Sequence, residues 1–249
     1  PLPRRRALVA YGAGAFGKQV LPMGNAGGPA IMAYAFDREV NLGYSRSLAV
    51  IVVAEFLSLA ASLLMGFVGV VVLLLFSSSG ADLRWLGVGM VLVGLALVAL
   101  SVVVWYRRVH VELAVTGIAR LLAPVAARVR PALAEGLRPD RVRANLRRYY
   151  ETFDVVVGDR RAVLYAFALS VLGWVFFALP LYTGALALEV RLPLALALFL
   201  VPAAGLATVV PLPGGLGGVE AALAGLLAVL AAVDVTSAGA VVILFRLCS

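Results

Sequence analysis

The stretch PLPGGLGGVE, residues 211–220, interrupts an apolar run from 194 to 233 whose only charge is Glu220. Without the interruption the run would read as one membrane helix. Pro202, Pro211 and Pro213 each remove a backbone donor, and Gly214, Gly215, Gly217 and Gly218 each lower helix propensity by roughly 1 kcal/mol. Two half-helices meeting at a Gly-Pro turn therefore fit the segment better than a single span. The same construction recurs at 7–36, where Pro22, Gly24, Gly27, Gly28 and Pro29 break another apolar stretch.

Outward from these breaks the chain is almost entirely apolar. Of 249 residues 63% are hydrophobic and only 14% charged, with a mean hydropathy of +1.04, which excludes a soluble globular protein. Residues 48–76 carry one charge, Glu55, and residues 86–106 carry none; both exceed the roughly 20 residues a spanning helix needs. A third span is expected at 162–188, kinked near Pro180. Arg4, Arg5 and Arg6 followed by apolar sequence imitate a secretory leader, but no small-residue cleavage site follows and Pro22 leads into further apolar sequence. The first residue is proline and the last apolar run is too short to span, so both ends read as truncated, a fragment of a longer chain.

Residues 107–161 differ from the rest. They hold 12 of the 21 basic residues and 6 of the 13 acidic ones. Val111, Val115, Ile118, Leu122, Val125 and Val129 recur at helical spacing, as do Val142, Leu146, Tyr149 and Phe153, opposite arginine-rich faces. Two amphipathic helices lying on the membrane surface are predicted, with anionic lipid headgroups as their partners. Placing this connector in the cytoplasm puts 17 basic residues inside and 2, Arg84 and Arg191, outside. The net charge of +8 is thus read as membrane orientation rather than nucleic-acid binding, since no aromatic-interleaved basic groove accompanies it.

The two breaks are related by a constant offset. Shifting the chain by 191 residues lays Pro22 on Pro213, Gly24 on Gly215, Gly27 on Gly218 and Glu55 on Arg246. With the orientation above, the first unit enters from the cytoplasm and the second from outside. The predicted fold is all-α: a polytopic integral membrane protein with two inverted repeats, each a re-entrant Pro/Gly-broken hairpin followed by a charged transmembrane helix. It is one membrane domain over 1–249, with a first unit at 7–76, the connector at 107–161 and a second unit at 194–249. Such repeats suit transport, because half-helix ends offer unpaired amides and carbonyls to a polar cargo near the midplane.

Three charges lie where the bilayer makes them costly. Glu55 and Arg246 sit in apolar spans, where insertion costs roughly 2.5–3.5 kcal/mol each, so each needs a partner. Their equivalent positions and opposite signs predict that they face one interior, pairing with each other or holding a charged headgroup. Glu220, just after Gly217 and Gly218, begins a half-helix where free amides and the helix dipole favour a carboxylate. Gly12, Gly14 and Gly17 spell a dinucleotide fingerprint, but Pro22 follows within five residues and no strand can flank it. A single histidine and a single cysteine support neither a metal site nor a disulfide, and no nucleophile–base–acid trio occurs, so neither enzyme activity nor a cofactor or metal is expected.

The break at 22–28, Glu55 on the helix after it, PLPGGLGGVE and the Arg246 helix together resemble the flippase-like membrane domain of lysylphosphatidylglycerol synthetases and their stand-alone relatives, over essentially the whole chain. The resemblance implies a multi-pass cell-membrane protein that moves a polar-headed lipid, whether aminoacylated, hopanoid or polyprenyl-linked, between leaflets. It also implies a substrate site on Glu55, Arg246, Glu220, Asn25 and the residues of the two breaks. Asn25 and Pro29 stand where relatives often carry arginine and glutamate, so a lysyl lipid is not implied. Other readings are a secondary transporter of a small anion, or the anchor of a lipid-linked glycosyltransferase or aminoacyltransferase. A homo-oligomer or a lipid-modifying enzyme would be the protein partner.

Overall fold

A computed structural model describes residues 4–20, 24–76, 85, 88–89, 92–94, 96, 99, 106–129, 135–136, 138–205, 207 and 217–248. The elements among them are helices: α1 Arg4–Val20, α2 Gly24–Val40, α3 Tyr44–Phe76, α4 Arg108–Val129, α5 Pro139–Gly158, α6 Arg160–Ala187, α7 Leu194–Gly205, α8 Gly218–Leu230 and α9 Val235–Cys248. The all-α class expected from the sequence is what the chain adopts.

Two of these helices, Tyr44–Val72 within α3 and Arg160–Ala187, are long and apolar enough to cross a bilayer. They match the spans expected at 48–76 and 162–188. Their surfaces say which solvent they meet. Of the 28 residues of α6 only Ala178, Leu181, Gly184 and Ala185 are buried, while Leu164, Leu169, Leu172 and Phe176 are exposed. Water would penalise so bare an apolar helix and hydrocarbon does not, so the chain is a membrane protein. Pro180 lies inside α6, which continues through it. The span expected at 86–106 falls mostly outside the described residues, as does the loop at 77–84; positions 88–89, 92–94, 96 and 99 are helical.

The centre of the packing is α7. Seven of its twelve residues are buried, among them Phe199 and Leu200, each at 0% exposure. Around it close Leu181 and Ala185 of α6, Leu223 and Leu227 of α8, and Val241, Val242 and Phe245 of α9. On the other side α3 comes in at Gly69: a Cβ there would sit 2.7 Å from the Ala195 carbonyl oxygen and 3.0 Å from the Phe199 amide. Only glycine permits that backbone approach. A second, smaller core joins Met32 and Ala33 of α2 to Ile51 and Leu48 of α3.

Each expected unit holds three helices among the described residues, the last two joined by a short turn. Their turns share a further register. Asn41 after α2 and Ala232 after α8 both take the left-handed conformation, with φ of 56° and 51°, and they stand 191 residues apart. The helices that follow, α3 and α9, begin at Tyr44 and Val235, again 191 apart. In the first turn the Asp37 carboxylate accepts the Gly43 amide at 2.7 Å; in the second, Asp234 accepts the Ser237 amide at 3.0 Å.

One expectation needs correction. The first break was expected to extend over 22–28, but α2 already starts at Gly24, so Gly24, Asn25, Gly27 and Gly28 lie within a helix and not in a turn. Early helical positions tolerate them because the first four amides have no intrahelical acceptor anyway. Pro22 lies outside the described residues. On α4 Thr116 and Ala119 are buried, whereas Ile118 and Leu122 of the apolar row are about half exposed. Small side chains let the helix approach its neighbour, and Thr116 satisfies its hydroxyl on the Glu112 carbonyl at 2.7 Å. On α5 the apolar row is the more sheltered: Val142, Leu146, Tyr149 and Phe153 are half-buried while Arg141, Arg143, Arg147 and Arg148 are exposed. The glycine triplet at 12, 14 and 17 lies inside α1, where a Cβ at Gly14 would meet Met32 of α2 at 2.6 Å, so that glycine serves helix packing.

Candidate functional site

The charged cluster is built where the second break ends. Gly217 takes φ of 83°, a conformation open to glycine and rarely to other residues, and turns the chain into α8. Glu220, in the first turn, reaches back: its Oε2 accepts the Gly217 amide at 2.7 Å. This is the cap expected of a carboxylate at that place, and it satisfies a donor the helix itself cannot. The other oxygen, Oε1, accepts Arg246 Nε at 2.6 Å from the neighbouring helix α9. The side chains of Glu220 and Arg246 keep 26% and 30% of their surfaces exposed.

Arg246 is thus paired with Glu220 and not, as one expectation had it, with Glu55. The reason is helix adjacency: α8 and α9 pack directly on each other, whereas α3 packs on α2, α5, α6 and α7. Equivalence along a repeat gave the residues the same place in their units but could not say which helices touch. Glu55 is half-buried on α3 and engaged in a polar or ionic contact of its own. Gly217 and Gly218 form the start of α8, while Pro211, Pro213, Gly214 and Gly215 lie outside the described residues.

A connection that the sequence reading missed runs from the Glu55 helix to the Arg246 helix. Trp174 of α6 donates its indole N–H to the Ser58 carbonyl at 2.9 Å and to the Ser58 hydroxyl at 3.2 Å. Ser58 is three residues after Glu55, on the same side of α3. Trp174 meets Phe177 edge-on at 5.7 Å, and Phe177 meets Phe245 edge-on at 5.5 Å. Phe245, 2% exposed, precedes Arg246. The available signal was Trp174 itself, since an indole N–H in an apolar span must find an acceptor.

The connector carries separate ion pairs at its surface. Arg143 of α5 lies 3.3 Å from Glu112 of α4, Arg141 2.7 Å from Glu135 and Arg147 2.8 Å from Glu151, all well exposed. Exposed pairs of this kind contribute roughly 0–1 kcal/mol each, so they orient the two helices more than they stabilise them. Burial raises the Tyr149 hydroxyl above its ordinary pKa, with Tyr150 adding to the effect.

Comparison with curated proteins and with solved structures found no match. Among protein families, the one described as the lysylphosphatidylglycerol synthase TM region matches residues 1–249, and the chain therefore belongs to that family of membrane domains.

Proposed function

We propose that this domain moves a polar-headed lipid between leaflets of the cell membrane, as a multi-pass translocase without catalysis of its own. The observation that carries the reading is the Glu220–Arg246 pair, a partly buried charge contact at the start of α8 in an otherwise apolar bundle. A structural lock alone is better served by apolar packing, because desolvating two charges commonly outweighs their attraction. A polar cargo gives the charges a use. Family membership ties the domain to lipid handling, and the shared register of the two units supports an inverted repeat whose members rock against each other.

In this reading Glu55, Glu220 and Arg246 line the path, with Asn25 and the glycines and prolines of the breaks beside it. The exposed arginines of α5 rest on anionic headgroups at the cytoplasmic surface, and a lipid-modifying enzyme or a second copy is the protein partner. The test is flipping of a fluorescent headgroup-labelled lipid in reconstituted vesicles. Activity is expected with the unaltered protein and loss in E55Q/R246Q. Full activity in that double variant would leave these residues a structural role only. No flipping of anionic, zwitterionic or glycosylated lipids by the unaltered protein would favour the anchor reading.

A further inference from the structure

Arg246 uses only part of its donor capacity. Its Nε bonds Glu220, while its Nη2 is buried and has no hydrogen-bond partner. Glu220 does not supply the missing acceptor in this arrangement: its Oε1 takes the Nε bond and its Oε2 is turned to the Gly217 amide. An arginine and a carboxylate free to choose would pair through two parallel bonds. Here the break at Gly217 takes one oxygen away and leaves the guanidinium half-served. A buried donor without an acceptor is costly, which makes the position one that gains from a ligand.

The chemistry of that ligand is constrained. Guanidinium nitrogens only donate, so an ammonium group, which also only donates, has nothing to bond there. The visiting group must present an acceptor oxygen. The fork geometry of arginine suits phosphate. Next to Arg246 stands the Phe245–Phe177 contact, an apolar wall. Resting on the translocase reading and sharpening it, we infer that Arg246 Nη2 receives a phosphate oxygen of the cargo lipid, with Glu220 serving to aim the guanidinium and not to touch the cargo.

Lysine at 246 isolates the claim, since it keeps the positive charge beside Glu220 but lacks a second nitrogen. The readout is thermal unfolding of the purified chain in detergent, with short-chain phosphatidylglycerol, diacylglycerol of the same chains, or inorganic phosphate added. This binding assay needs no transport, so it separates the site from the function: absent flipping with the shift intact removes the translocase and keeps the site. At a hundredfold excess over Kd the phospholipid should raise the unaltered protein's melting temperature by about 5 °C. Diacylglycerol should do nothing. R246K should melt at the unaltered temperature without lipid but require about 10- to 100-fold more phospholipid for the same shift. If R246K does not fold, the neutral pair E220Q/R246Q takes its place and should lose the shift. An undiminished shift in the variant that folds, or an equal one with diacylglycerol, overturns the inference. A shift with inorganic phosphate that R246K loses assigns the same site to free phosphate.

Discussion

The first unit, α1 to α3, and the second, α7 to α9, run through the same order of elements and put their left-handed turn residues in the same register. They are nevertheless packed differently. The second unit contributes most of one large core around Phe199 and Leu200, whereas the first holds its own small core of Met32, Ala33 and Ile51. The sequence explains this. α7 is apolar along its whole length, while α2 ends in Asp37, Arg38 and Glu39 and cannot be enclosed. Equal topology thus supports unequal burial: the second unit is the dry frame in which a charge must be paired, and the first keeps a wet end.

The sharpest way to break the comparison is to unpair the dry unit. Glu220→Ala or Arg246→Ala alone should destabilise the protein by about 3 kcal/mol, toward the lower end for buried pairs because part of each side chain stays exposed. The double variant should recover most of that loss. Denaturation in detergent gives the three values, and additive losses would mean the pair is not coupled. Next, Gly69→Val strikes the seam between units. It should cost about 1–3 kcal/mol by forcing α3 off the Ala195 carbonyl. A neutral effect would show the two helices free to separate there.

A smaller effect is expected at Trp174. Replacing it by phenylalanine keeps ring area but removes the bond to Ser58, for about 1 kcal/mol. The turns offer the finest comparison. Ala232 occupies a left-handed conformation that costs a side-chain-bearing residue about 1 kcal/mol, whereas asparagine, at 41, tolerates it. Ala232→Gly should raise stability measurably and Asn41→Gly should barely change it; equal gains would mean the turns differ in more than residue type. The smallest effect is on pH. The Ser237 hydroxyl and amide hold the Asp234 carboxyl below its ordinary pKa. Because the folded value is depressed, its contribution is present above the usual carboxylate range and is lost as pH falls through the lowered value. Protection of the Ser237 amide against exchange, taken relative to its intrinsic rate at each pH, should therefore fall in acid, and Asp234→Asn should abolish that dependence.

Much of this architecture was legible in the residues. Long, nearly charge-free runs located α3 and α6, because that signal is local; the first break was misplaced, since α2 already starts at Gly24, and most of the second lies outside the described residues. The sheltered row of α5 was legible too, since its apolar residues stand against arginines. On α4 the spacing marked the apolar row but not the residues that pack. In a bilayer large apolar side chains may face outward, so Ile118 and Leu122 mark lipid while Thr116 and Ala119 mark the contact. The partner of Arg246 was illegible for another reason. Offset arithmetic compares positions within units, while pairing depends on which helices are neighbours.

The closeness of Glu220 and Arg246 bears on electrical work. Moving one elementary charge through the full membrane field costs about 2.3 kcal/mol per 100 mV, but opposite charges held 2.6 Å apart and carried together contribute almost nothing to that sum. The pair would be electrically silent however far its helices travelled. In the translocase reading, any voltage dependence of lipid movement would then register the valence of the headgroup in transit and not the machinery that carries it.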